Sequence, residues 1–179
     1  SRGFCSICLS IKRKILLGAC LGHSLKGCIN YSGIDYATGK LYYVTEWNIS
    51  YSSLAARNLK VSEFIETINY KVQALTKLHH RNIVAYEGVL CNQENDSVQV
   101  ILIQEFILGI SVCSMSGGCF NWNVESVSSM AKGILEGLIF LHNNGISHGN
   151  LCDSSVFLDS SGIIKISVSQ VIIEGNSLL

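Results

Sequence analysis

Apolar residues follow two rhythms along this chain. In GKLYYVTEWNI (39–49), β-branched and aromatic residues crowd together, as they do in a pleated, partly buried strand. A weaker extended run, GHSLKGCINYSG (22–33), precedes it. IDYATG, with Asp35 and Gly39, reads as the turn that makes the two a hairpin. The rhythm then changes. Val61, Phe64, Ile65, Ile68, Val72, Leu75 and Leu78 recur at steps of three and four and predict a helix over 61–78, ended by HHRN. IVAYEGVLC (83–91) and VQVILIQEF (98–106) return to strand, with NQEND between them. The second is almost wholly apolar and predicts a buried central strand. LGISVCSMSGG reads as a loop. Val124, Val127, Met130, Ala131, Ile134, Leu135, Leu138 and Leu141 form one stripe of a helix over 124–142, ended by HNNG. ISHGNL, VFLD and IIKISV are short extended pieces, with the turn SSG before the last. The order predicts an α+β fold: an antiparallel sheet with one helix, then the start of a helical lobe.

Composition narrows the function classes. The 179 residues suffice for one domain of ordinary size. Thirteen Lys and Arg balance thirteen Asp and Glu, so no basic field calls for nucleic acid and no acidic field for a basic partner. Apolar residues make up 48% and charged residues 15%, which predicts that another body covers part of the surface. No apolar run approaches the roughly 18 residues of a membrane span. ILLGAC, after the basic residues near the start, is too short for a signal peptide. The chain lacks an initiator Met and is expected to be a piece of a longer one. Its eight cysteines read as reduced thiols of a cytosolic protein rather than a disulfide framework.

The ordered motifs resemble the protein kinase family. LHHRNIVAYEGV resembles the segment after the regulatory helix, ILIQEFILGISV the fifth strand and hinge, and GILEGLIFLHNNGISHGNL the helix leading into the catalytic loop. The likeness spans residues 20 to 172. Within the family, TGKLYYVTEW, the ILGISV hinge and the altered catalytic loop are similar to the degenerate kinase domain of the general-control kinases, which act on the α subunit of translation initiation factor two. The resemblance implies an N-terminal flank (1–19), a small lobe (20–106), and a hinge with a partial, truncated large lobe (107–179).

It also assigns positions. Kinases hold phosphates with a Gly-rich loop, a strand Lys and a helix Glu, and use an Asp base, an Asn and a second Asp for chemistry and magnesium. Here the loop is Gly22, Ser24 and Gly27, with Ile29 at its valine, and Glu105 stands at the hinge. Thr45 takes the Lys position, and a one-residue shift would place Glu46 there. Tyr43 falls where a small residue lies above the adenine. It shares a strand face with Thr45, so its ring would fill that space. Lys71 replaces the helix Glu, either solvated or in a swapped pair with Glu46. His148 is kept as a packed histidine, Gly149 replaces Arg and Asp153 reads as a turn residue. Asn150 replaces the base, and a carboxamide cannot take a proton near neutral pH. Ser155 replaces the metal-binding Asn. Val168, followed by Ser169 and Gln170, replaces Asp-Phe-Gly and has no oxygen for magnesium.

The implied function is that of a catalytically inactive pseudokinase domain with no catalytic residue, no bound metal and no cofactor, ATP binding not being expected. It would regulate an adjacent kinase domain of the same chain, in a cytoplasmic dimer, with neither nucleic acid nor membrane as partner. The parent chain would be a serine/threonine kinase. Two alternatives stand beside it. One is a fragment of an active kinase that uses Glu105 or Asp159 as a replacement carboxylate. The other is a zinc module built on Cys5, Cys8, Cys20 and His23, whose pair spacings suit the metal.

Overall fold

The computed structural model describes residues 6–9, 13–23, 27–115 and 122–168. The chain divides into two compact units, Ser1–Lys77 with Tyr86–Phe106, and Leu78–Ala85 with Ile107–Leu179.

The first unit is a six-stranded sheet with helices. Its strands are β1 (Ser6–Leu9), β2 (Arg13–His23), β3 (Ile29–Asp35), β4 (Leu41–Ser50), β5 (Tyr86–Gln93) and β6 (Ser97–Glu105). Their order is β1-β2-β3-β4-β6-β5, and every pairing is antiparallel. β4 and β6 lie centrally. Val98, Val100, Leu102 and Ile103 of β6 are fully buried, as an apolar strand flanked on both edges must be. Ile15, Tyr42, Val44, Ile101 and Ile103 form a core on one face of the sheet, with Leu17, Tyr31 and Leu90 packed against it.

The hairpin turn forms as predicted. The Asp35 carboxylate accepts N–H bonds from Ala37 at 2.8 Å and Thr38 at 3.2 Å. Gly39 sits at φ 72°, where a side chain would be strained. The run 22–33, however, is not one strand. Gly27 at φ 77° interrupts it, so β2 ends at His23 and β3 starts at Ile29. Residues 13–19, expected in a flank, belong to β2, where Ile15 is buried against the sheet.

Helix α1 (Tyr51–Ala56) was not expected. Ser50 caps it by accepting from the Ser53 N–H, and Asn58 at φ 55° closes it. Helix α2 (Val61–Leu75) buries Phe64, Ile68, Val72 and Leu75 on one stripe. It ends three residues before the predicted limit, at a Thr76 cap.

The second unit joins strands β7 (Gly109–Ser111), β8 (Val156–Asp159) and β9 (Ile164–Ile166) in an antiparallel sheet with helices α3 (Val112–Met115) and α4 (Val124–Asn143). Residues 109–115, read as loop, thus hold β7 and α3. Gly109 is required there: a Cβ would stand 2.0 Å from the Leu158 carbonyl oxygen. Asn123 caps α4 by accepting from Ser126 N–H at 2.7 Å. Of the expected IIKISV strand only Ile164–Ile166 pairs with β8, and ISHGNL forms no strand.

The segment Leu78–Ala85 threads through this unit. Ile83 and Ile166 form a parallel bridge. The buried Asn82 donates its Nδ2 to the Ile164 carbonyl at 2.8 Å, and His80 stacks on Phe140 at 4.6 Å. Helix α4 lies close because Gly133 and Gly137 are both buried on it. A Cβ at Gly137 would sit 2.8 Å from Ile166 Cδ1 and 3.0 Å from the Asn82 carbonyl oxygen. The opposite side of α4 exposes Val127, Leu135 and Ile139.

Replacing Gly137 with Val should overpack this contact and lower stability by about 1–3 kcal/mol. Val127→Ser, on the exposed side, should change it by less than about 0.5 kcal/mol. Denaturant unfolding of the two variants measures the contrast.

Candidate functional site

Each unit carries part of the sequence-assigned set. In the first unit the strand pleat decides which residues meet. Residues opposite one another on antiparallel strands share a face. Asn30 pairs with Thr45 and Ser32 with Tyr43, while Leu102 pairs with Thr45 and Gln104 with Tyr43. Tyr43, Thr45 and Trp47 therefore lie on one side, with Asn30, Ser32, Leu102 and Gln104, away from the Tyr42 and Val44 core.

Thr45 is 6% exposed, and its hydroxyl donates to Asn30 Oδ1 at 3.1 Å. Tyr43 is half-buried, not solvated. Burial pushes its phenol pKa up, with a further contribution from nearby Cys28. Glu46 points to the other side, opposite Ile29 and Ile101, and accepts from Gln99 Nε2 at 3.0 Å. Among the described residues it makes no ion pair with Lys71, which sits half-buried on α2.

One assignment needs correction. Ile29 pairs with Glu46 and so faces away from Tyr43 and Thr45. The residue of β3 on their side is Asn30, opposite Thr45. The reason is the two-residue period of the strand: counting from Gly27 gave the right distance but the wrong face. Gly22 lies at φ 143° and Gly27 at φ 77°, and Ser24 lies outside the described residues. Glu105, the last residue of β6, is partly buried opposite Tyr42.

Sequence reasoning also missed Gln104 and Trp47. Both are buried, and neither Gln104 Oε1 nor Trp47 Nε1 has a hydrogen-bond partner among the described residues. Strand alternation from Tyr43 was the signal that could have found Trp47, whereas Gln104 meets Tyr43 only through the pairing of β6 with β4.

The second unit holds the other positions. His148 is buried and donates Nε2–H to the Ser167 carbonyl at 3.0 Å. Burial lowers its pKa, against the raising effect of the Ser167 bond. Gly149, at φ 68°, lets the Asn150 N–H reach back to the His148 carbonyl at 2.8 Å. That conformation is strained for an arginine or any other residue with a Cβ.

The Ser155 hydroxyl is used twice. It donates to the Cys152 carbonyl at 2.7 Å and accepts from the Cys152 N–H at 3.0 Å. Val168 is fully buried beside the Ser167 that anchors His148. The Asp159 carboxylate accepts from Ser161 N–H and Oγ–H and from Ile163 N–H at 2.7–2.9 Å. Burial pushes its pKa up, but these bonds and Lys165 outweigh that and hold it below the usual value. It is committed to its own turn.

For the zinc set, Cys5 lies outside the described residues. Cys8 pairs with Lys14 and Cys20 with Tyr31 inside the sheet, and His23 ends β2 opposite Ile29. No cluster of metal-ligating side chains occurs among the described residues. Among the described residues, cysteines 20, 28, 91, 113 and 152 form no disulfide. No helix of the described residues is long and apolar enough to cross a membrane.

A family model described as the protein kinase domain matches residues 39–167. Mitogen-activated protein kinase kinase kinase A of Dictyostelium discoideum is 33% identical over 152 residues, covering 84% of this chain and 15% of that protein. The eIF-2-alpha kinase GCN2 of Mus musculus is 27% identical over 158 residues, covering 83% and 10%. Mitogen-activated protein kinase kinase kinase 3 of Arabidopsis thaliana is 31% identical over 136 residues, covering 76% and 20%. The chain thus spans a fifth or less of the length of each of these three relatives.

The depressed His148 pKa fixes a pH dependence. The unfolded histidine takes up a proton near pH 6.5, while the native one resists it. Its contribution to stability is therefore complete above pH 6.5 and shrinks as pH falls below. Urea unfolding between neutral pH and about pH 5 should show this loss, and His148→Gln should flatten the profile.

Proposed function

Because the chain belongs to the protein kinase family, we propose that it is a kinase-like domain without phosphoryl-transfer activity, retained to regulate a neighbouring kinase domain. The observation that carries this reading is the state of the two metal positions. Ser155 spends its hydroxyl on Cys152, and Val168 is a fully buried hydrocarbon. Neither supplies an oxygen that would draw magnesium to the reaction, and phosphoryl transfer depends on that ion to neutralise developing charge. Three further positions support the reading. Thr45 is no cation, Lys71 reverses the charge of the helix position, and Asn150 is no base.

The partner in this proposal is the adjacent kinase domain of the same longer cytoplasmic chain, within a dimer. That parent chain is a serine/threonine kinase acting in starvation control of translation initiation, a reading supported by the likeness to eIF-2-alpha kinase GCN2. Regulation works through contacts that differ between two states of the neighbour and so shift their populations.

The second reading is a fragment of an active kinase, favoured by the likeness to relatives named as mitogen-activated protein kinase kinase kinases. It requires a carboxylate from elsewhere. Asp159 is held in its turn, and Glu105 ends the central strand β6.

Two experiments separate the readings. Calorimetry with ATP, with and without magnesium, on the domain extended to its full length should give no magnesium-dependent binding. Such binding would favour the active kinase. Deleting residues 20–172 from the parent protein should lower substrate phosphorylation although no catalytic group is lost. Unchanged phosphorylation would sink the regulatory reading.

A further inference from the structure

HNNG, the stop of α4, holds the one Asn-Gly pair of the chain, Asn144–Gly145. In a flexible chain such a pair is chemically labile, because a glycine nitrogen with no side chain beside it can attack the asparagine carboxamide. Here the pair is built into a helix cap. Gly145 sits at φ 72°, the left-handed conformation in which helices end and which glycine adopts without strain. Its N–H donates to the His142 carbonyl at 3.0 Å, and the Ile146 N–H donates to the Leu141 carbonyl at 2.9 Å. These are the two crossed bonds of a Schellman motif. Asn144 adds a third bond, its Nδ2 donating to the Phe140 carbonyl at 2.8 Å. Asn144 itself is exposed to water, while Leu141 below it is fully buried.

We propose that Asn144 is a modification site, a deamidation site that the end of α4 holds shut. The Gly145 nitrogen loses its proton and attacks Asn144 Cγ. A bond forms between them, Nδ2 leaves as ammonia, and a succinimide ring remains. Water then opens the ring at either carbonyl, leaving aspartate or isoaspartate. One water enters and one ammonia leaves, with no oxidation or reduction. Three features of the fold oppose the attack. Asn144 has ψ 14°, so the Gly145 nitrogen nearly eclipses the Asn144 nitrogen, whereas ring closure needs it to eclipse Cβ. The attacking N–H is engaged with His142, and the leaving Nδ2 is anchored on Phe140. Reaction therefore waits for the last turn of α4 to open, which takes less free energy than global unfolding. The product cannot rebuild the cap. Isoaspartate adds a carbon to the main chain inside the Schellman motif. Either product puts a negative charge at a helix C-terminus, where the dipole disfavours it, and removes the donor to Phe140. Each opening that reacts is thus recorded permanently, in the turn that leads to His148.

The test is parallel incubation of the chain at mildly alkaline pH, folded and in urea, followed by peptide mass mapping and isoaspartate detection with a protein isoaspartyl methyltransferase. In urea the Asn144 peptide should convert before any other asparagine peptide. In the folded chain its conversion should be slower by about tenfold or more. Ile146→Pro removes the N–H that binds Leu141 but keeps the Asn-Gly pair, and should raise the folded rate toward the urea rate. In the unaltered chain, urea below the unfolding transition should raise it in the same direction. Equal rates in the folded and unfolded chain would overturn the proposal, and so would a folded rate above the urea rate. An Asn144 that stays an amide in urea, or lags another asparagine there, would overturn it as well.

Discussion

The register of β4 is the constraint on which the first unit depends. It is hydrogen-bonded along most of its ten residues, to β3 on one side and β6 on the other. With both edges occupied, the strand cannot slip by one residue without moving every side chain to the opposite face. Tyr42 and Val44 are thereby committed to the core, and Tyr43 and Thr45 to the side that carries Asn30, Leu102 and Gln104. The turn at Asp35 sets that register from one end, with three N–H bonds gathered at Asp35: two on its carboxylate and one on its carbonyl.

Much of this was legible in the sequence because packing and periodicity agree. The stripe Phe64, Ile68, Val72, Leu75 buries as its spacing demands, and so does the apolar run of β6. What could not be read depended on backbone conformation. Gly27 breaks an apparently continuous strand through its positive φ, and Ser50 starts a helix too short to show a period. Strand β7 is invisible as a pattern because its three residues are fixed by the close approach of Gly109 to Leu158. Among the site residues, Tyr43 and Thr45 were found on one face, since that needs only alternation. Ile29 was misplaced because the count began at Gly27, outside the strand, where alternation does not hold. Gln104 and Asn30 went unnoticed because their neighbours are on other strands.

The kinase-like positions differ from one another in how the surrounding structure treats them. Thr45 and Ser155 have their hydroxyls satisfied locally, and Val168 adds to an apolar interior. Each therefore costs the fold little, whereas a buried polar group without partners costs about 1–3 kcal/mol. Among the described residues, Gln104 Oε1 and Trp47 Nε1, on the Tyr43 side of the sheet, are buried without such a partner. The energetic contrast is between positions settled into the frame and positions held at some expense.

The doubly engaged Ser155 and the sealed Val168 also limit which substitutions the fold accepts. An aspartate introduced at 168 would bury a charge in a fully enclosed position, a change expected to weaken the fold. A change at 155 would first break the two bonds to Cys152. Each of these two changes is thus a loss to the fold when taken alone. The packing of these two residues makes both positions resistant to single substitutions.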